Sequence, residues 1–199
     1  VWLFPLAVLI VGLIHFEAFR TWQGLILPLV TPLLAVVWGL GMMGAAKIPL
    51  DIFNGFTPIL ILAVGAGHAV QLLKRYYEEY HRLRETTPLT PHAANRQAVV
   101  DSIIAVGPVM LTAGLVAALG FFSLTVFHIT SVRVFGIFTG IGILGALILE
   151  MTFIPALRSM LPAPSDKERS LERKERFWDR LTNAIADWLT GPKRQRVYI

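Results

Sequence analysis

The 199 residues are 55% hydrophobic and 16% charged, and they include no cysteine. This composition excludes a disordered chain, a disulfide-stabilised scaffold and cysteine-based catalysis or metal binding. The apolar residues form unbroken blocks, which is typical of a membrane protein and not of a soluble domain. Lys and Arg number 18 against 13 Asp and Glu, a net charge of +5. Because these cations flank the apolar blocks, membrane topology explains them better than nucleic acid does.

Five apolar blocks come close to the roughly 20 residues that a helix needs to span a bilayer. The first block is too short to span alone, so we interpret it as a helix whose beginning is missing. Pro28, Pro32, Pro58 and Pro108 lie within or near the blocks and predict kinks, which membrane helices tolerate. We predict an all-α integral membrane domain over residues 1–160, a bundle of five transmembrane helices at about 1–16, 24–46, 52–73, 103–127 and 134–157.

The distribution of Lys and Arg predicts the orientation of this bundle. All of them except Lys47 and Arg133 fall in the first connection, the third connection and the C-terminal tail, which share one side of the membrane. The positive-inside rule makes that side cytoplasmic and places the N-terminus outside. A first span that starts outside and is cut short leads us to expect further sequence upstream, in a longer protein.

Two cytoplasmic helix signals flank the later spans. Thr90-Pro91 predicts a helix start, with Thr as the cap, that leads into the fourth span. Residues 161–199 are predicted to be a linker with an amphipathic helix, which lies at the membrane interface or packs on its own protein. Ser165 with Glu168 forms its capping box, and Gly191-Pro192 is its stop signal. Its apolar stripe consists of Phe177, Leu181, Ile185 and Trp188. The basic segment from Lys193 to Ile199 then leads into a further membrane helix.

The sequence offers no motif of a soluble enzyme. It lacks a phosphate-binding loop, a dinucleotide-binding glycine pattern and a serine-nucleophile elbow. Its five His are scattered, so we expect no metal and no cofactor. A membrane-embedded enzyme is disfavoured because the spans contain neither paired carboxylates nor a His cluster.

The informative residues are the few polar ones inside the apolar spans. An ionisable group in hydrocarbon costs at least a few kcal/mol unless it is paired, neutral or hydrated. His68 is the leading candidate for a proton relay, because an imidazole can stay neutral in a dry site and accept a proton when water or a carboxylate reaches it. The alternative is a structural His that bonds a backbone carbonyl or lies near the interface, since Lys74 is six residues on. Gln71, three residues beyond His68, either orients the imidazole or bonds across helices.

Glu150 is the only carboxylate well inside a predicted span. It either pairs with a cation or helix end near the inner interface, where Arg158 lies two turns on, or faces His68 and holds its imidazolium. Milder polar positions are expected to make mostly ordinary interhelical hydrogen bonds. They are Thr31, Thr112, Ser123, Thr125, Thr139 and Thr152.

Small residues recur four apart in the last three spans, where they let helix backbones approach closely. We expect these helices to pack tightly, and smooth faces of this kind also let helices slide during alternating access. Glycine is common in membrane helices in any case, so a purely structural role stays open. The main helix-packing candidates are Gly65, Gly67, Gly136, Gly140 and Gly142.

Several segments resemble a known family in order and spacing. The third span and its exit are similar to the fourth membrane helix of the resistance, nodulation and division (RND) transporters, in the branch of the mycobacterial large membrane proteins, hopanoid exporters and Patched-like proteins. Segments further on are similar to the fifth and sixth helices of that branch. The matching segments are Gly65 to Tyr76; Leu111-Thr112 and Gly120 to Leu124; and Phe135-Gly136, Thr139-Gly140, Gly142 and Pro155 to Leu157.

The resemblance covers nearly the whole chain and implies helices two to six of one membrane half. It implies proton-driven export of hydrophobic or amphiphilic, lipid-like molecules by alternating access in a bacterial inner membrane. The implied partners are such a substrate, membrane lipids, a second membrane half, periplasmic porter domains and further copies of the protein, but no nucleic acid.

The family's fourth helix commonly carries an Asp followed by a Tyr as proton relay. Here these positions are Gly67 and His68, so the carboxylate is absent. Either His68 takes over proton exchange, or the other membrane half couples to protons, or the protein is not proton-driven. The alternative function is a non-transporting regulatory module that senses lipid or sterol.

Overall fold

A computed structural model describes residues 2–164 and 177–190, and this part of the chain is helical without a β-strand. The prediction of an all-α membrane bundle is therefore confirmed. Helices α2 to α5 are each long and apolar enough to cross a membrane, whereas α1 is a shorter apolar helix. The helices are α1 (Leu3–Phe19), α2 (Trp22–Ala45), α3 (Thr57–Thr86), α4 (Pro91–Phe122), α5 (Thr130–Met160) and α6 (Phe177–Thr190).

Helix α5 packs against α2, α3 and α4, and α1 lies along α2 and α3. Two apolar clusters fill the bundle, one around Ile61 and Leu62 and the other around Leu72, Met110 and Ile154. The outer faces of the helices carry exposed large apolar side chains. A bundle that is apolar outside as well as inside is suited to a lipid environment.

The helix ends follow from local sequence signals. Thr21 caps α2 by accepting a hydrogen bond from the Gly24 backbone N–H at 3.0 Å, and Thr90 accepts one from Ala93 at 3.3 Å to cap α4. The predicted helix start at Thr90-Pro91 is thereby confirmed. Arg20, with a left-handed φ of 51°, makes the tight connection between α1 and α2.

Proline does not interrupt these helices. Helix α2 continues through its two prolines and α4 through one, while α3 begins around Pro58. The carbonyl of Pro108 accepts a hydrogen bond from the Thr112 hydroxyl at 2.8 Å. A neighbouring Thr is one of the groups that satisfy backbone polar atoms at such positions in membrane helices.

Helices α3 and α4 continue beyond the predicted spans as a helical hairpin. A buried cluster that includes Tyr76, Tyr77 and Tyr80 from α3 and Ala94 and Ala98 from α4 forms its core. The hairpin lies at the same end of the bundle as the α1–α2 connection and the C-terminal end of α5, because Arg158 contacts both Gln23 and Tyr76. We refer to this as the basic end, and its cytoplasmic location stays a prediction.

Helix α6 covers the predicted apolar stripe and is described as far as Thr190. Its apolar Leu181 and Ile185 are exposed. The predicted capping box of Ser165 and Glu168, the stop at Gly191-Pro192 and the segment from Lys193 to Ile199 lie outside the described residues.

Candidate functional site

The two ionisable candidates of the membrane spans meet inside the bundle. His68 on α3 and Glu150 on α5 approach to 3.3 Å between Nδ1 and Oε2. The Glu150 side chain is fully buried and that of His68 is 11% exposed. Of the two arrangements open for Glu150, the structure therefore shows the one in which it faces His68. We call these two residues the relay pair.

Gly65 creates the space for the Glu150 carboxyl group. A β-carbon at position 65 would lie 2.8 Å from Oε1 of Glu150, 2.9 Å from Cβ of Pro32 and 3.4 Å from Cβ of Ala146. Any larger residue at this position would push on α2 and α5 at once. The glycine one turn before His68 thus lets the carboxyl group lie against the backbone of α3.

The carboxyl group of Glu150 is poorly satisfied. Among the residues that the structure describes, none donates to Oε1 or Oε2 with hydrogen-bond geometry, so the His68 contact is an ion-pair distance only. The hydroxyl of Thr31, which is also fully buried, has no described partner either. A buried carboxylate without hydrogen bonds is costly, so gain or loss of its charge changes the free energy of the bundle strongly.

Gln71 and Gly67 do not take part in this site. Gln71 lies on the exposed side of α3, and among the described residues no hydrogen bond is seen from it to the relay pair. A β-carbon at Gly67 would have no atom within 4 Å, so this glycine makes no close helix contact. Residues 67 and 71 are one turn apart, and both point away from the described bundle.

The other predicted packing glycines do lie at close approaches. A β-carbon at Gly140 would come within 2.7 Å of the Phe122 ring. At Gly136 it would overlap the Phe121 carbonyl oxygen, and at Gly142 it would overlap the Ile61 side chain. These three positions bring α5 close to the end of α4 and to α3, and only a glycine fits there without a shift.

A second polar cluster lies at the basic end of the bundle, and sequence reasoning missed it. Arg158 of α5 is 1% exposed. Its guanidinium donates to Gln23 Oε1 at 2.8 Å, to the Tyr76 hydroxyl at 2.7 Å and to the Pro162 carbonyl at 3.2 Å. It also stacks over the Tyr76 ring, 4.6 Å from the centroid. Asn95 accepts a hydrogen bond from the Tyr76 hydroxyl at 2.5 Å. We call Arg158, Gln23, Tyr76 and Asn95 the inner cluster.

Arg158 has no carboxylate partner within the described part of the chain. The pairing of Glu150 with Arg158 that the sequence left open is not seen. Glu79, which follows Tyr76 on α3, is held instead by Arg75 and Arg82. Gln23 and Asn95 are polar residues near the starts of α2 and α4, but sequence spacing could not show that they converge on one cation.

The prediction that most hydroxyls bond between helices was wrong. Of the six Ser and Thr residues predicted to bond in this way, only Thr139 shows a hydrogen bond to another helix among the described residues. Its hydroxyl bonds that of Thr57 at 3.1 Å. The others that bond do so to carbonyls of their own helix or turn, three or four residues back, where the oxygen is always close. These are Thr112, Ser123, Thr125 and Thr152.

Comparison with known proteins adds two findings. A family model described as the MMPL family matches residues 4–190. A membrane protein of Methanocaldococcus jannaschii is 28% identical over 152 residues, which cover 76% of this chain and 36% of that protein. The chain thus spans about a third of the length of this curated relative.

Proposed function

Because the chain belongs to the MMPL family, we propose that it is part of a proton-driven transporter that exports hydrophobic or amphiphilic molecules. In this proposal the relay pair, His68 and Glu150, is the proton-binding site, and alternating access couples its protonation to export. The observation that carries the proposal is the meeting of the two ionisable groups at 3.3 Å inside apolar helices.

The charge of the relay pair depends on the number of protons it holds. With one proton the pair is neutral overall, either as imidazolium with carboxylate or as two neutral groups. A second proton leaves one net positive charge in a buried site, and loss of the only proton leaves one net negative charge. Both states are costly in a low dielectric, so they favour a conformation in which water reaches the pair. A proton shifts a conformational equilibrium only if its binding free energy differs between the two conformations, and access of water to the pair creates such a difference.

The packing of α5 is compatible with movement between two such conformations. Gly136 and Gly140 face the end of α4, whereas Gly142 lies against the Ile61 side chain of α3. Glycines at such positions let membrane helices approach each other closely. We propose that α5 shifts against α3 and α4 when the protonation of Glu150 changes.

The test uses the native protein in liposomes with an imposed proton gradient. The probes are a fluorescent phospholipid analogue and a fluorescent fatty acid, whose movement is followed by quenching. We expect His68→Ala and Glu150→Gln to lose gradient-dependent export, while the exposed-site controls His92→Gln and Glu78→Gln keep it. Gel filtration checks that every variant is folded.

A second measurement does not depend on the choice of lipid. Infrared difference spectra between neutral and acidic pH should contain a protonated-carboxyl signal that Glu150→Gln removes. Gradient-dependent export that is unchanged in both relay variants would remove the pair from the mechanism. Binding of the lipid probes with no gradient-dependent transport at all would instead favour a lipid-sensing module.

A further inference from the structure

The relay pair and the inner cluster form two polar layers on the same two helices. On α3, Tyr76 follows His68 by eight residues, and on α5 Arg158 follows Glu150 by eight residues. Eight residues of α-helix rise about 12 Å. A proton that leaves the relay pair toward the basic end of the bundle therefore meets the inner cluster next.

An apolar layer separates the two polar layers. Leu72 and Ile154, each four residues beyond a member of the relay pair, are 3% and 2% exposed and pack with Met110. Beyond them lies a cavity of about 10 Å³ between Leu72, Ile154, Tyr76, Ser102 and Arg158. That volume is room for about one water molecule. Its wall is almost entirely apolar, although Tyr76, Ser102 and Arg158 border it.

The guanidinium is the dominant charge at this point. Its described partners are an amide oxygen, a hydroxyl, a carbonyl and an aromatic ring, all of which are neutral. Its positive charge is therefore oriented and desolvated but not cancelled by a described carboxylate. A second cation about 4 Å away, at an effective dielectric of about 20, would be disfavoured by roughly a thousandfold.

We propose that Arg158 is an electrostatic barrier to protons between the relay pair and the basic end of the bundle. The inference rests on the proposed function and assigns a specific task to a residue outside the relay. A proton can pass from His68 or Glu150 to that end only when a conformational change moves the guanidinium away from Tyr76. A fixed positive charge excludes protons and cations from other membrane pores in the same way.

Gln23 offers a test that hardly changes the shape of the cluster. Gln23→Glu places a carboxylate on the existing 2.8 Å contact with Arg158 and cancels its charge. If Arg158 were only a packing residue, this new ion pair would leave proton permeability unchanged. If Arg158 is the barrier, Gln23→Glu should raise the passive proton flux although it adds an attractive contact. Arg158→Gln should also raise the passive proton flux. Arg158→Lys retains the positive charge and should keep the low flux of the wild type.

The experiment measures proton flux without any transported substrate. The native protein is reconstituted into liposomes that enclose a pH-sensitive dye, and a potassium diffusion potential drives protons inward. We expect Gln23→Glu and Arg158→Gln to raise the flux about tenfold or more, and the exposed control Arg96→Gln to match the wild type. Adding Glu150→Gln to either variant should return the flux toward the wild-type value, because the route runs through the relay pair.

Two outcomes would contradict the proposal that Arg158 is a barrier. One is a folded Gln23→Glu protein with wild-type flux, and another is a raised flux that Glu150→Gln does not reduce. If Arg158→Gln fails to fold, Gln23→Glu still decides the matter, because it retains the guanidinium and its contacts. The gradient-driven export of the relay variants tests the proposed function, and the substrate-free flux of Gln23→Glu tests the barrier, so each can fail alone.

Discussion

Gly65→Ala is expected to damage both the packing of the bundle and the geometry of the relay pair. The added methyl group would lie 2.9 Å from Cβ of Pro32 and 2.8 Å from Oε1 of Glu150. Non-bonded carbon atoms prefer about 3.5–4.0 Å, so α2 and α3 must separate by up to about 1 Å and the carboxyl group must move. Gly67→Ala is the matched control, because the same change two residues along the same helix meets no atom within 4 Å.

The comparison of the two variants isolates the packing cost. Ala is a better helix former than Gly by about 0.8–1.0 kcal/mol, but this gain is common to both substitutions and cancels. Overfilling a packed interior costs about 1–3 kcal/mol. At about 2–4 °C per kcal/mol for a chain of this size, Gly65→Ala should melt roughly 2–12 °C below Gly67→Ala.

The assay heats detergent-solubilised protein and measures the folded fraction by gel filtration. Infrared difference spectra of the same samples should show a shifted Glu150 carboxyl signal in Gly65→Ala and an unchanged one in Gly67→Ala. A Gly65→Ala protein that melts at or above Gly67→Ala would refute the close approach of α2, α3 and α5 at this position.

Two further predictions concern other parts of the bundle. Thr57 and Thr139 share a buried hydrogen bond of 3.1 Å, and a double-mutant cycle with Val at both positions should give a coupling of about 0.6–1.7 kcal/mol, whereas additive losses would contradict the bond. Hydrogen bonds from the Asn54 backbone N–H and the Ser131 side chain hold the pKa of Asp51 below its ordinary 3.8. Because a lowered folded-state pKa stabilises the fold only above the unfolded value, this contribution should be present above about pH 3.8 and disappear as the pH falls through the lowered pKa. Melting curves at stepwise lower pH should show less acid sensitivity in Asp51→Asn than in the wild type, and parallel curves would argue against it.

Hydropathy and charge predicted the architecture well because a spanning helix leaves a long, unambiguous signal. The blocks of apolar residues correspond to α1 to α5, and the Thr90-Pro91 signal marks the start of α4. The ends of α3 and α4 extend further than the apolar blocks. Charged residues such as Arg75 and Glu79 end a hydropathy block but are good helix formers, so the helix continues through them.

The site was predictable only in part. The cost of an ionisable group in hydrocarbon singled out His68 and Glu150 one at a time, but sequence spacing could not show that they face each other across two helices. Gln71 lies three residues beyond His68, a rotation of about 300° around the helix axis, and this turns it to the exposed side of α3. The inner cluster was missed because its members come from four different helices.

The length of α3 has a mechanical consequence. It runs without interruption for 30 residues, about 45 Å, from Thr57 past His68 to Thr86. A rod of this kind is a lever, and a tilt of about 10° around His68 would displace its far tip by roughly 5 Å, since the tip lies about 27 Å away. A spin label at Thr87, outside the apolar part of the bundle, could therefore report from water on the state of a carboxyl group that is fully buried in this structure.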